Sequence, residues 1–344
     1  MHLSVVVPCY NEGQVILRLA DELENVLSRV EGECEVILVD DGSSDDTIEH
    51  MRRLHETRPM FRYFALSRNF GKEAAMLAGL SQATGDCVAV MDADLQHPPE
   101  LLLPMLDLIE AGYEQVVARR DRHADPWLRT RASRAYYRLV NGLIDVRLQD
   151  GAGDFRILSR GALRALLSLG EANRFSKGLF AWIGFKTTYV DYQNVARAAG
   201  ESKWGLRGLF DYGIDSILSF NNKPLRLAIH VGVAVSMFAV IYGLWVGVDA
   251  LVRGNPVPGY VTLICAVVGL GGLQMIMLGV IGEYLGRIYI ETKARPHFLI
   301  RESSGGEGLS VTTAVGRNRL LLESQETAPR TTSWLGEHSR PEWH

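Results

Sequence analysis

Two uninterrupted apolar runs, Leu227 to Val248 and Val261 to Gly282, constrain this chain most, because each is longer than an ordinary core helix. The first carries only His230 and Ser236 as notable polar residues, the second only Thr262 and Gln274. At ~1.5 Å of rise per residue each helix extends roughly 33 Å, enough for a hydrocarbon core of ~30 Å. The link Arg253-Gly254-Asn255-Pro256-Val257-Pro258-Gly259 is short and turn-rich, so the pair reads as a transmembrane hairpin. Lys223 and Arg226 precede it and Arg287, Lys293, Arg295 and Arg301 follow, so the positive-inside rule places both ends in the cytoplasm. Gln274 marks either a polar pathway or, more commonly, an interhelical hydrogen bond; two helices are too few for a transporter. Just ahead, Leu206, Leu209, Phe210, Ile214, Ile217 and Leu218 recur at helical spacing around Arg207, Asp211 and Asp215. A core helix has the same stripe, but the position favours a helix lying in the membrane interface.

The first part of the chain alternates short β-branched runs with longer helical patterns. Leu3 to Pro8, Glu35 to Val39, Arg62 to Leu66, Cys87 to Met91 and Gln115 to Ala118 read as strands; Glu12 to Val30, Asp45 to Glu56, Lys72 to Ala83 and Pro98 to Ile109 read as helices. This predicts an α/β fold with a mostly parallel, helix-covered sheet. From Trp127 to Asn194 the pattern is mixed, with one further strand at Lys186 to Tyr192, and reads as an elaboration closing over the sheet. The expected organisation is an α/β domain over 1–200, an interfacial helix region over 201–224, the hairpin over 225–284 and a tail over 285–344. After about residue 303 the tail is rich in Ser, Gly, Thr, Glu and Arg, with the composition of a disordered segment.

Within the α/β part, Asp92-Ala93-Asp94 directly follows the apolar run Cys87 to Met91. Two carboxylates are thereby set at the carboxyl end of a buried strand, where open α/β sheets bind ligands. Such a pair suits Mg²⁺ or Mn²⁺ held by one or two carboxylates plus the phosphate oxygens of a substrate, although D-x-D alone is more often a surface turn. A formal net charge of −4 over 344 residues gives no sign of a nucleic-acid binder. Seven arginines between Arg119 and Arg138 form either a solvated helix face or a surface for phosphate or anionic headgroups. An apolar fraction of 47% is high for a purely soluble enzyme. Cys9, Cys34, Cys87 and Cys265 have no ligand spacing, which argues against a disulfide framework or zinc site and fits a reducing compartment. No basic n-region precedes Leu3-Ser4-Val5-Val6-Val7, so no cleavable signal peptide is expected.

Together, VVPCYNE from Val6, LVDDGSSDDT from Leu38, SRNFGKEAAMLAGL from Ser67, MDADLQHPPE from Met91, DFR from Asp154 and AGESKW from Ala199 form a specific set. Over about residues 1 to 300 the chain resembles glycosyltransferase family 2, and within it the polyprenyl-phosphate glycosyltransferases, which include dolichol-phosphate mannose synthases and bactoprenol glucosyltransferases. IGEYLGRIYIETKARP from Ile281 resembles the bactoprenol branch in particular. The resemblance implies a GT-A fold in which Pro8, Tyr10, Asn11 and Glu12 contact a nucleotide and Asp41 reads its base. A carboxylate there accepts from uracil or from guanine alike, and with Asp40 it also suits a turn or helix cap. The resemblance makes Asp92 and Asp94 the metal carboxylates, Gln96 a third ligand, and Asp154 a catalytic base. An acceptor phosphate, whose second pKa is ~6, needs little deprotonation, so Asp154 reads better as an acceptor-site or sugar-orienting group.

Lys72, after Gly71 at a helix start, is placed to steer phosphates, though its surroundings are no Walker A motif. Arg119 and Arg131 are candidates to hold phosphates of acceptor or donor. Arg197, Ser202 and Lys203, on a Gly-containing loop, are placed to close over the diphosphate, while Lys203 beside Trp204 equally suits membrane snorkelling. The expected reaction is inverting, metal-dependent transfer of one sugar from a nucleotide sugar, UDP-glucose first, to polyprenyl phosphate at the cytoplasmic face of the inner membrane. Expected partners are that donor, the polyprenyl phosphate, membrane lipid and further copies of the chain, up to a tetramer. Glycines such as Gly269, Gly271 and Gly272 allow that helix association. A GDP-mannose-dependent mannose synthase is the alternative donor reading. A processive synthase fits less well, because no Q-x-x-R-W motif is present. A silent nucleotide-sugar-binding membrane scaffold is the alternative of another class.

Overall fold

The computed structural model describes residues 1–120, 141, 149, 151–172, 174–192, 223–253 and 259–305. Its strands are β1 (Leu3–Cys9), β2 (Cys34–Asp40), β3 (Phe61–Leu66), β4 (Cys87–Val90), β5 (Gln115–Arg120), β6 (Ala152–Ser159), β7 (Thr187–Tyr192) and β8 (Ile300–Ser303). Its helices are α1 (Ile16–Leu27), α2 (Thr47–Thr57), α3 (Lys72–Gln82), α4 (Leu102–Glu110), α5 (Arg160–Ser168), α6 (Ser176–Trp182), α7 (Lys223–Arg253) and α8 (Tyr260–Lys293). The strands form one sheet in the order β7-β5-β6-β4-β1-β2-β3-β8.

The β-branched runs of β1 and β2 are buried on both faces, as a helix-covered sheet requires. Beneath one face lies α1, with Ile16, Leu19, Leu23 and Val26 against Val5, Val7 and Leu38; on the other lies α3, with Ala75, Met76 and Ala78 against Val6, Val39 and Val90. Residues 74–80 of α3 are all buried, and the close approach depends on Gly79, where a Cβ would stand 2.3 Å from Val6 Cγ1.

Pairing is parallel for β1–β2, β1–β4, β2–β3 and β5–β7, as the alternation predicts, but antiparallel for β4–β6, β5–β6 and β3–β8. Four of the seven pairings among the described residues are parallel, so the sheet is mostly parallel as expected, and its antiparallel pairs come from two strands unread in the sequence. Ala152–Ser159 has no period-two pattern because β6 runs between β4 and β5, and β8 is only four residues long. β8 ends at Ser303, and most of the segment expected to be disordered after about residue 303 lies outside the described residues. Helix α1 starts at Ile16 rather than Glu12, because residues 10–15 form a loop that hydrogen-bonds to the loop after β2. Pro99–Leu101 is a 3₁₀ turn ahead of α4.

Antiparallel α7 and α8 meet where Gly232 faces Met277, whose Cε would stand 3.4 Å from a Cβ added at the glycine. Among the described residues one segment, Gly269–Lys293, is long and apolar enough to cross a membrane; His230–Tyr242 is a shorter apolar stretch. The apolar runs Leu227 to Val248 and Val261 to Gly282 lie within α7 and α8 respectively. The expected interfacial helix over Leu206 to Leu218 lies outside the described residues.

After α8 the chain returns to the sheet. Phe298 and Ile300 are buried, and β8 covers the free edge of β3. Glu302 there accepts from Arg52 Nε and Nη2 at 2.7 Å each and from Tyr63 Oη at 2.9 Å.

Candidate active site

Because β1, β2, β3 and β4 are mutually parallel, the loops after them emerge at one edge of the sheet. The antiparallel β6 brings its starting end there, and β5 and β7 their finishing ends. Strand order reverses between β1 and β4, the position at which an open α/β sheet leaves a crevice. The candidate site lies along this edge.

The loop after β1 is tied to the loop after β2. Asn11 N donates to Ser43 Oγ and Ser44 N to Asn11 Oδ1, both at 2.9 Å, while Glu12 N donates to Thr47 Oγ1 at 2.9 Å and Gly13 N to Asp45 at 3.1 Å. Asn11 adopts φ +55°, a left-handed conformation that Asn tolerates better than most residues. Tyr10 is exposed at this rim, whereas Pro8 is buried within β1 opposite Val39. Asp41, almost fully buried, accepts from Phe70 N at 2.7 Å and Gly71 N at 2.9 Å, so its carboxylate shapes the turn that launches α3. Burial raises its pKa despite those two donors. Gly42 beside it has φ +68°, and a Cβ there would meet the Arg68 backbone at 2.5 Å.

Beyond β4, Met91 is buried and Asp92 emerges at the edge. Gln96 N donates to Asp94 Oδ1 at 3.1 Å, closing a turn in which Leu95 takes φ +56°. A left-handed leucine costs ~1 kcal/mol or more, and such strain clusters at ligand-holding turns. The antiparallel register pairs Val90 with Arg156, and continuing it sets Asp154 opposite Asp92. Lys72, the first residue of α3, closes the gap: its Nζ lies 2.6 Å from Asp92 Oδ1 and 2.6 Å from Asp154 Oδ2. Burial by itself favours the neutral forms, but the opposed charges prevail, raising the Lys72 pKa and holding Asp154 well below the usual carboxylate range.

Among the described residues no three His, Cys, Asp or Glu side chains converge as a metal cage. A two-carboxylate set of hard oxygens still fits a divalent cation whose remaining ligands are substrate phosphates and water, the way Mg²⁺ is commonly held. Sequence reasoning missed three neighbours. His97 is wedged between the rings of Phe155 at 5.6 Å and Tyr192 at 5.5 Å, fastening the Asp92–Gln96 loop to β6 and β7. Its pattern signal was nil, because both aromatic partners are far away in sequence. Arg156, buried and stacked on Phe180 at 3.7 Å, donates to the Gly153 and Asp154 carbonyls and so braces the strand end that carries Asp154. Glu73 accepts from Ser176 Oγ and joins α3 to α6. Arg119, predicted to grip phosphate, makes a bidentate pair with Asp191 at 2.6 and 2.8 Å on the exposed rim. Arg131, Arg197, Ser202 and Lys203 lie outside the described residues.

The family model for Glycosyl transferase family 2 matches residues 4–167, and that for the GtrB C-terminal hairpin matches residues 223–288. A Bacillus subtilis protein, CsbB, whose name assigns it provisionally to the glycosyltransferases, is 48% identical over 302 residues, covering 88% of this chain and 92% of that one. The prophage bactoprenol glucosyl transferase homolog of Escherichia coli is 38% identical over 88% of this chain and 99% of its own. The SfII prophage-derived bactoprenol glucosyl transferase of Shigella flexneri is 38% identical over 89% and 99% respectively.

Proposed function

The chain belongs to glycosyl transferase family 2, with a GT-A-like fold and a GtrB-type hairpin, and from that premise we propose that it transfers a single sugar from a nucleotide sugar to polyprenyl phosphate at the cytoplasmic face of a membrane. The observation that carries this reading is the placement of Asp92 and Asp94 at the switch point of the sheet, in a chain that also matches the GtrB C-terminal hairpin and has one segment long and apolar enough to cross a membrane. UDP-glucose is the favoured donor, on the strength of relatives named bactoprenol glucosyl transferases.

In this reading the knitted loops Tyr10–Gly13 and Asp41–Thr47 hold the nucleoside, with Tyr10 exposed at their rim. Asp92 and Asp94, with the Gln96 amide, would hold Mg²⁺ or Mn²⁺, whose chemistry is to neutralise charge on the departing diphosphate. Lys72 steers the diphosphate. An oxygen of the acceptor phosphate attacks the anomeric carbon as the bond to the diphosphate breaks, so an α-linked donor yields a β-linked product. Asp154 stays ionised throughout the physiological range, because the Lys72 ammonium overrides its burial. It therefore orients sugar or acceptor rather than taking a proton, for which a pKa near the working pH is needed. The hairpin keeps the site near a lipid-borne acceptor and replaces a three-dimensional search by a local one.

Purified protein in detergent, given polyprenyl phosphate, Mn²⁺ or Mg²⁺ and a panel of UDP- and GDP-sugars, tests this. One donor should give lipid product, and Asp94→Ala should lower its formation by about a hundredfold or more without altering the circular dichroism. Unchanged transfer by Asp94→Ala would remove the D-x-D carboxylates from the mechanism.

A further inference from the structure

Lys72 begins α3 at the positive end of the helix dipole, where a cation is disfavoured. Its position is therefore not explained by helix stability. It is explained by the two carboxylates, 20 and 82 residues away in sequence, that share its ammonium at 2.6 Å each. The Lys72 side chain is 45% exposed, so an unbranched flexible chain can swing without disturbing the core. Asp154 also feels Lys177 and Arg156, so it keeps cationic company if Lys72 turns away.

We propose that Lys72 is a positioning residue that occupies the Asp92–Asp154 gap with its ammonium until a nucleotide diphosphate arrives, so that the divalent cation enters with the donor rather than before it. The proposal rests on the glycosyltransferase reading above and adds an order of binding to it. Without nucleotide, a divalent cation at Asp92 and Asp94 meets an ammonium on Asp92 itself, and the like charges repel. A diphosphate reverses the balance. It brings further anionic oxygens for the cation and an alternative partner for the three N–H donors of Lys72. The D-x-D carboxylates are thereby withheld from free divalent ions while no donor is present.

The test is Mn²⁺ binding to the full-length protein in detergent, followed by the electron paramagnetic resonance of free Mn²⁺, with and without UDP. Wild type should bind Mn²⁺ weakly alone and tightly with UDP. Lys72→Met, and Lys72→Gln as a second neutral variant, should bind Mn²⁺ alone at least about tenfold more tightly than wild type, while Lys72→Arg, which keeps the charge, should behave as wild type. A merely structural role for Lys72 predicts no gain in affinity. Wild type that binds Mn²⁺ with UDP, beside neutral variants that bind Mn²⁺ alone no more tightly than wild type, overturns the proposal and leaves the glycosyltransferase reading intact. Wild type that fails to bind Mn²⁺ even with UDP overturns both the proposal and the metal assignment beneath it.

Discussion

At the scale of single residues, stability and chemistry use carboxylates in opposite ways at the two edges of the sheet. Glu35, at the edge away from the site, accepts from Ser4 Oγ at 2.6 Å, Thr84 N at 2.8 Å, Thr84 Oγ1 at 2.7 Å and Arg62 at 2.6 Å. Burial opposes its ionisation, but these donors pull its pKa from 4.5 to about 2. A folded-state pKa below the unfolded one gives stability that is complete above about pH 4.5 and is lost as pH falls toward 2, here on the order of 3 kcal/mol. Glu35→Gln should therefore lower the Tm at pH 7, and its gap from wild type should close between about pH 5 and pH 2 in a series of thermal melts; a gap that persists unchanged at low pH contradicts this. Asp92 and Asp94 were legible in the sequence because a local pattern, an apolar strand followed by D-x-D, sets their position. The junction of Lys72 with Asp154 was not, since it joins residues 82 apart through the β4–β6 register. The position of Asp41 at the end of β2 was legible in the sequence, but not its role as acceptor of the Phe70 and Gly71 amides, which depends on where β3 ends.

At the scale of elements, the strands with β-branched runs and their covering helices followed from periodicity, because burial on both faces of a parallel sheet imposes a local composition. The elements that escaped are those whose existence depends on distant partners. The clearest is β8, whose four residues gain their meaning from β3 and from Arg52, 250 residues earlier in the chain. It caps an otherwise open edge and anchors the end of α8 to the sheet. The Arg52 hydrogen bonds lower the Glu302 pKa to about 2, but the Arg52 side chain is 43% exposed, so solvent screening reduces their worth. Glu302→Ala should cost about 1 kcal/mol and lower the Tm by a few degrees. A variant as stable as wild type would show that Phe298 and Ile300 hold β8 without the ion pair.

At the scale of the whole molecule, a site open at one edge of an α/β sheet is joined to two antiparallel helices, one of them with a segment able to cross a bilayer. Among the described residues the two parts touch at the end of α8, where Glu291 accepts from Ala172 N at 2.8 Å in the turn between α5 and α6. That turn leads to Ser176 and, through Glu73, to the start of α3 beside Lys72. The helical pair is thus attached close to the candidate site, as the proposed transfer to a lipid headgroup requires. The most direct test of this account is the chemical structure of the lipid made from polyprenyl phosphate and the preferred nucleotide sugar, read by mass spectrometry and by the anomeric coupling in NMR. The account predicts one sugar per lipid phosphate, β-linked from an α-linked donor. A chain of sugars, an α-linked product or transfer to water alone would contradict it.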